Sequence, residues 1–391
     1  MKKSKAILNS AIVLYFVICF EILIMISPFA GFFYSVFNPF LLETTKYPAT
    51  RWLSAFFLPH MVVPPDDFLK FIRVMGSVLF VGGILIFLIC ASQVYFNKFF
   101  RKGAVSKGLY SFIRHPQYLG LGITGIGLAI LWPRFLVAVL WLLMVLIYYF
   151  LSKDEERRML KESPTYGEYM DRTGMFLPGK VERLVSPSSA AGKIILFVVI
   201  SGLTVGSAFF LRDYTIRHLP LWTDRNVVAL AILPGDLEKM EHRMDAILGM
   251  DEVKARLKGN DHYLVYFLPP NYIMQGLIAD TGGKWKLYKH QHTMRMFADW
   301  IIHPFSHLKG GHHMMHGGGH GAHSMSMGVE RRLVFLAVND KTVSKPYDVF
   351  SIGANRTPEF MLDLDIHNLV IHDLKDLPGD TGWGKVPTPV F

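Results

Sequence analysis

Cysteine is nearly absent: Cys19 and Cys90 both lie inside apolar runs, so neither a disulfide framework nor a cysteine metal site can be built. Charged residues are also scarce, at 18% against 51% hydrophobic and 14% aromatic, and with a mean hydropathy of +0.30 this excludes an ordinary soluble enzyme. Acids are missing altogether from residues 97–116, and His60 and His115 are the only histidines in residues 1–211. A net charge of +10 raises the question of nucleic acid, but the cations of the first half collect in two short loops between apolar segments. The expected partner is therefore the lipid bilayer, and no nucleic acid.

What is present in quantity is long apolar runs. Ala6 to Phe33 is long enough to span a bilayer as a helix, and no small-x-small cleavage site follows Cys19 and Glu21, so an uncleaved first span is expected rather than a signal peptide. Further spans are expected over Phe71–Phe96, Tyr118–Trp132, Phe135–Leu151 and Lys193–Leu211, about five in all. Trp132-Pro133-Arg134 breaks the third from the fourth into a helical hairpin, because Pro133 cannot continue the helix it meets. Glu21 inside the first run is either a functional carboxylate or a group facing water or a neighbouring helix.

Charge orients the set. Lys98, Arg101, Lys102, Lys107 and Arg114 fill one loop, and Lys153, Arg157, Arg158, Lys161, Arg172, Lys180, Arg183 and Lys193 the next, so both are expected on the cytoplasmic side. The N-terminus is then cytoplasmic too, and everything after Leu211 lies outside; a bacterial inner membrane is the expected location.

The hairpin arms bring Arg114-His115-Pro116 beside Asp154-Glu155-Glu156 at one membrane edge. Ionisable groups there are costly unless paired or used, which points to a site; the alternative is that the cations snorkel and the acids cap a surface helix. Pro116 suits a first helical turn, and a helix N-terminus attracts anions. Gly120, Gly122, Gly125 and Gly127 follow; the string formally matches G-x-G-x-x-G, but no strand precedes it, so close approach of helices or of a ligand is the better reading.

GLYSFIRHPQYLG together with DEERRMLKESPTYGEYMDRTGMFLP resembles the integral-membrane methyltransferase superfamily that includes isoprenylcysteine carboxyl methyltransferases and phospholipid N-methyltransferases. Gly108, Tyr110, Arg114, His115, Pro116, Tyr118 and Gly120 fill the first part of its pattern, Glu155 and Glu156 the second, and Tyr166, Tyr169 and Pro178 the third; Ser163-Pro164 departs from the usual Phe-Gly pair. The resemblance covers about residues 70–180, under a third of the chain. It implies S-adenosylmethionine as cofactor, bound from the cytosolic face, and a hydrophobic or membrane-bound methyl acceptor reached from the lipid side.

On that footing Arg114, His115 and Glu156 are the candidate catalytic residues, and Tyr110, Arg114, His115, Pro116, Tyr118, Gly120, Glu155 and Glu156 the candidate cofactor-binding set. The carboxylates suit the cofactor's amino group or ribose hydroxyls, Arg114 and the helix N-terminus its carboxylate. His115 suits orientation or proton transfer. Tyr110 and Tyr118 suit the sulfonium, or else are interfacial belt residues.

The expected organisation is an N-terminal transmembrane helix and outer loop (1–69), a methyltransferase-like membrane core (70–192), a transmembrane helix (193–211) and an extracytoplasmic α+β domain (212–391). In the last, RNVVALAIL, DHYLVYFLPP, ERRLVFLAV and EFMLDLDIHNLVIH read as strands, with a helix over Asp236–Leu257. Within it lie His303, His307, His312, His313, Met314, Met315, His316, His320, His323, Met325 and Met327 on a glycine-rich segment, a copper-preferring ligand set if it is not simply a low-complexity loop. Two classes of function follow: a membrane methyltransferase, or a non-catalytic subunit of a membrane complex or copper-handling protein on that scaffold.

Overall fold

The computed structural model describes residues 44, 46–59, 62–100, 105–163, 165–258, 261–269, 329–338, 345–354 and 356–377. The expected first span with Cys19 and Glu21 lies outside these residues, as does the His/Met-rich segment.

Helix α1 (Asp67–Phe99) starts where the Asp66 carboxylate accepts the Leu69 N–H at 2.7 Å, an N-terminal cap. It is followed by a short turn at Gly108–Ser111 and by α2 (Pro116–Leu131), which places proline in its first turn as expected. Trp132 caps α2, Arg134 is extended, and α3 (Phe135–Glu162) runs back, so the hairpin breaks at Pro133. Small residues set the α1–α2 distance: a Cβ on Gly83 would strike the Thr124 backbone, and one on Gly127 the Phe80 backbone. Two short helices follow, α4 (Tyr166–Arg172) and α5 (Gly179–Val185), and then the long α6 (Ala190–His218).

Among the described residues three helices are long and apolar enough to cross a membrane, spanning Asp67–Asn97, Phe135–Glu162 and Ala190–His218, and Pro116–Leu131 is a shorter apolar helix. Ile194, Ile195, Val198 and Leu203 of α6 are each more than 60% exposed, which suits a helix surrounded by lipid. The described residues thus combine three helices with the length and apolarity of membrane spans and a C-terminal sheet domain, as a multi-pass helical membrane protein would.

That domain contains a sheet of β1 (Leu221–Asp224), β2 (Val227–Ala231), β3 (His262–Leu268), β4 (Glu330–Val338), β5 (Arg356–Asp365) and β6 (Val370–Asp376), arranged in sequence order. Only the β2–β3 pair is parallel among those strands, and helices α7 (Leu237–Leu248) and α8 (Asp251–Lys254) lie in its crossover. Alternation sorts the central strands between two cores. Ala229, Val265 and Phe335 meet Met240 and Met244 of α7; Leu230, Tyr266 and Leu336 meet Val349, Phe350 and Val62.

Three details differ from the sequence reading. The expected helix over Asp236–Leu257 is two helices, because Met250 takes an extended conformation after the Gly249 cap. EFMLDLDIHNLVIH is a hairpin rather than one strand: Asp365 accepts the His367 and Asn368 N–H groups at 2.8 and 3.0 Å and turns the chain. The short β1 went unread before the Arg225-Asn226 turn, where Arg225 has φ 45°.

Guanidinium groups and backbone carbonyls tie the helices, the segment before α1 and the sheet domain together. Arg212 of α6 donates to the carbonyls of Phe56 and, at 2.5 Å, Phe350. Arg134, at the hairpin tip, donates to the Ser54 carbonyl at 2.6 Å and lies 4.3 Å over the Phe56 ring. Val63 N–H donates to the Ile232 carbonyl of the sheet domain at 3.1 Å.

Candidate functional site

At the other end of the hairpin, residues 112–115 are held by the strand-like stretch that follows α4. Arg114 N–H donates to the Gly174 carbonyl at 2.8 Å, His115 N–H to the Met175 carbonyl at 3.0 Å, and Ile113 forms a parallel bridge with Gly174. The backbone before Pro116 is thereby fixed, and both side chains are turned toward α3.

Arg114 Nε donates to Glu156 Oε1 at 2.6 Å, with the two side chains 8% and 3% exposed. Its Nη1 also donates to the carbonyls of Met170, at 3.0 Å, and Thr173. Lys153 Nζ stands 3.3 Å from the second oxygen of Glu156. His115 sits between two carboxylates, with Nδ1 3.5 Å from Glu155 and Nε2 3.6 Å from Glu156. Those distances allow charge attraction, but neither ring nitrogen has a hydrogen-bond partner, although the residue is 1% exposed. Burial works to lower the His115 pKa; the two carboxylates outweigh it and hold it above its ordinary value.

The tyrosines tie this cluster to its surroundings. Tyr110, buried, donates to Gln117 Oε1 at 3.0 Å and to the Cys90 carbonyl at 3.2 Å, while Tyr169 donates to the Tyr110 carbonyl at 2.5 Å. Burial raises the pKa values of Tyr110, Tyr166 and Tyr169, so these phenols stay neutral hydrogen-bonding groups. Tyr118 stacks between His115, at 5.7 Å between ring centres, and Tyr148 of α3, at 4.9 Å.

The structure thus brings together Arg114, His115, Tyr118, Glu155 and Glu156, with Tyr110 and Tyr166 behind them. Two sequence expectations change. Gly120 lies in the α1 contact: a Cβ there would meet the Phe87 backbone nitrogen at 2.8 Å and the Gly83 carbonyl at 2.9 Å, so its lack of a side chain serves the close approach of α1. Arg114 is engaged by Glu156 and two carbonyls, which makes it the clamp of the cluster.

Residues that the sequence did not single out for the site include Gln117, Tyr148, Ser152 and the carbonyls of residues 170–175, while Lys153 was read only as a loop cation. Gln117 and Lys153 stood next to the motif and were the legible ones. Ser152 is fully buried, and its hydroxyl has no hydrogen-bond partner. A cavity of about 660 Å³ opens between the last turns of α1 and residues 105–107, lined by Ser92, Gln93, Asn97, Ser106 and Lys107.

The candidate copper ligands from His303 to Met327 lie outside the described residues; among the described residues no group of three or more His, Cys, Asp or Glu can hold a metal ion.

Residues 71–168 match the family model of phospholipid methyltransferases, in agreement with the integral-membrane methyltransferase superfamily. No curated protein and no solved structure matches the chain. The matched stretch holds α1 from residue 71 on, α2, α3 and the start of α4, and so every residue of the Arg114–His115–Glu155–Glu156 cluster; the carbonyls of Met170 and Thr173 lie just beyond it.

Proposed function

We propose that the chain is an S-adenosylmethionine-dependent methyltransferase acting on a membrane-associated acceptor, a phospholipid or similar amphiphile, at the Arg114–Glu156 end of the α2–α3 hairpin. The observation that carries this reading is His115, buried between two carboxylates with both ring nitrogens unsatisfied, at the centre of the matched segment. An unmade hydrogen bond on a buried polar atom costs about 1–3 kcal/mol, so the cluster is shaped for a polar ligand. The donor set fits the cofactor in question: carboxylates for an ammonium or hydroxyls, an imidazole for a carboxylate, and aromatic rings for a sulfonium.

S-adenosylmethionine supplies an electrophilic methyl group and needs no covalent enzyme intermediate. The tasks left to the protein are alignment and charge. Arg114 holds Glu156 in place, and Glu156 with Glu155 sets the charge state of His115. Protonated, His115 is a donor for an anionic ligand group; neutral, it is a base for an acceptor proton. On this reading the site end of the hairpin is cytoplasmic and the sheet domain lies outside, with five crossings including Ala6–Phe33; the positive-inside rule applied to the two cationic loops supports that orientation. Acceptors that live in the bilayer reach the hairpin from its flanks.

The test is methyl transfer in vesicles. Purified protein, methyl-labelled S-adenosylmethionine and phosphatidylethanolamine vesicles should yield labelled lipid, and His115→Ala should reduce the rate on the order of 100-fold. Label that appears in no lipid, or that appears equally with His115→Ala, overturns the reading.

A further inference from the structure

The proposed site has a polar position one helical turn deeper than its carboxylates. On α3, Tyr148, Ser152 and Glu156 are spaced four apart and share one face. Both outer members of that row meet the start of α2: Tyr148 stacks on Tyr118, and Glu156 approaches His115. Ser152 therefore faces the space between Tyr118 and His115. Its side chain is 0% exposed and its hydroxyl has no hydrogen-bond partner. A helical serine or threonine ordinarily bonds back to the carbonyl four residues before it, as Thr124 does to Gly120 at 2.9 Å and Thr215 to Leu211 at 2.7 Å. Ser152 forgoes that bond one turn from Glu156, whose neighbour His115 carries two further orphaned atoms, its ring nitrogens.

We propose that Ser152 is a direct ligand contact in this site and that it takes the uncharged, hydrogen-bonding part of the cofactor, its nucleoside. This rests on the methyltransferase reading and adds a residue to it. The order of chemistry along α3 supports the division. Glu155, 38% exposed, stands at the mouth; Glu156, at 3%, is next; Ser152 lies deeper, with Tyr148 beyond it at 2%. Charged ligand groups are costly to bury unless they meet a charged partner, so they belong at the carboxylate and imidazole level. A hydroxyl, which both donates and accepts, suits a neutral hydroxyl or ring nitrogen.

The orphaned hydroxyl also gives the proposal an unusual signature. A serine that holds the fold together lowers stability when removed, whereas an unpartnered hydroxyl contributes nothing to the ligand-free protein. The experiment uses the full chain in detergent, titrated calorimetrically with S-adenosylhomocysteine, alongside thermal unfolding without ligand. Ser152→Ala should raise Kd about 3- to 10-fold, as expected for one neutral hydrogen bond, while its ligand-free unfolding midpoint stays the same or rises. Ser152→Cys, of similar volume, should weaken binding in the same direction.

Binding by both variants as tight as wild type overturns the assignment and leaves the methyltransferase reading standing. A midpoint that falls together with affinity marks Ser152 as structural and overturns it too. A loss above about 30-fold marks a charged partner and overturns the nucleoside assignment. Wild type that does not bind at all overturns the proposed function and this contact with it.

Discussion

Among the described residues two arginine–carboxylate pairs are buried, and they are built differently. In the sheet domain, Arg331 of β4 grips Asp236 at the start of α7 with two bonds, Nε to Oδ2 at 2.9 Å and Nη2 to Oδ1 at 2.7 Å. Lys239 adds a contact at 3.3 Å, Arg331 Nη1 donates to the Glu330 carbonyl at 2.7 Å, and the side chains of the pair are 0% and 1% exposed. In the membrane hairpin, Arg114 makes one bond to Glu156 and gives its remaining bonds to backbone carbonyls. Around it stand the unsatisfied nitrogens of His115 and the unsatisfied hydroxyl of Ser152. The first arrangement closes its hydrogen bonds internally and fixes α7 against the sheet. The second leaves polar atoms open in a buried place, which is how a binding site differs from a structural lock.

The largest effect is expected when the arginine of the sheet-domain pair is removed. Arg331→Ala strands Asp236 in an apolar interior and should cost roughly 3–5 kcal/mol of stability, enough to unfold the sheet domain well below the wild-type midpoint. Denaturant unfolding followed by circular dichroism reads it directly. Loss of less than about 1 kcal/mol would mean that the Arg331–Asp236 pair is no lock.

A smaller effect follows from His115. Its pKa lies above the ordinary 6.5, so the attraction to Glu155 and Glu156 stabilises the folded chain fully below about pH 6.5 and is lost as pH rises through the raised value. The difference in unfolding midpoint between wild type and His115→Gln should therefore shrink as pH is raised from about 5.5 to 8.5. A difference that grows with pH would mean that burial prevails over the two carboxylates.

The two regions were also unequally legible in the sequence. The meeting of Arg114 with Glu156 could be read because Pro133 fixes where the hairpin turns and an α-helix has a constant rise, so both ends can be counted from that turn. The partners of Arg114 at Met170 and Thr173, and the pairing of Ile113 with Gly174, are backbone contacts, which any side chain there would permit. Ser152 was hidden for a related reason: one small polar residue at the end of an apolar run looks like a helix filler, and only its burial and lack of a partner set it apart. Gly120 was legible only as a small residue, which serves a ligand or a neighbouring helix equally well; its complement in the helix contact, Gly83, lies far away in sequence on α1. In the sheet domain, the central strands announced themselves by apolar content, while β1 with its four residues is too short to show a period.

The most direct measurement is calorimetric titration of the full-length protein with S-adenosylhomocysteine, comparing wild type with Glu156→Gln and with Lys239→Ala, which trims the sheet-domain pair without opening it. Wild type and Lys239→Ala should bind with equal affinity, and Glu156→Gln should lose at least about tenfold, the size of a charge-assisted bond removed from a buried site. Equal affinity in all three proteins, or no binding by wild type, would contradict the proposed site.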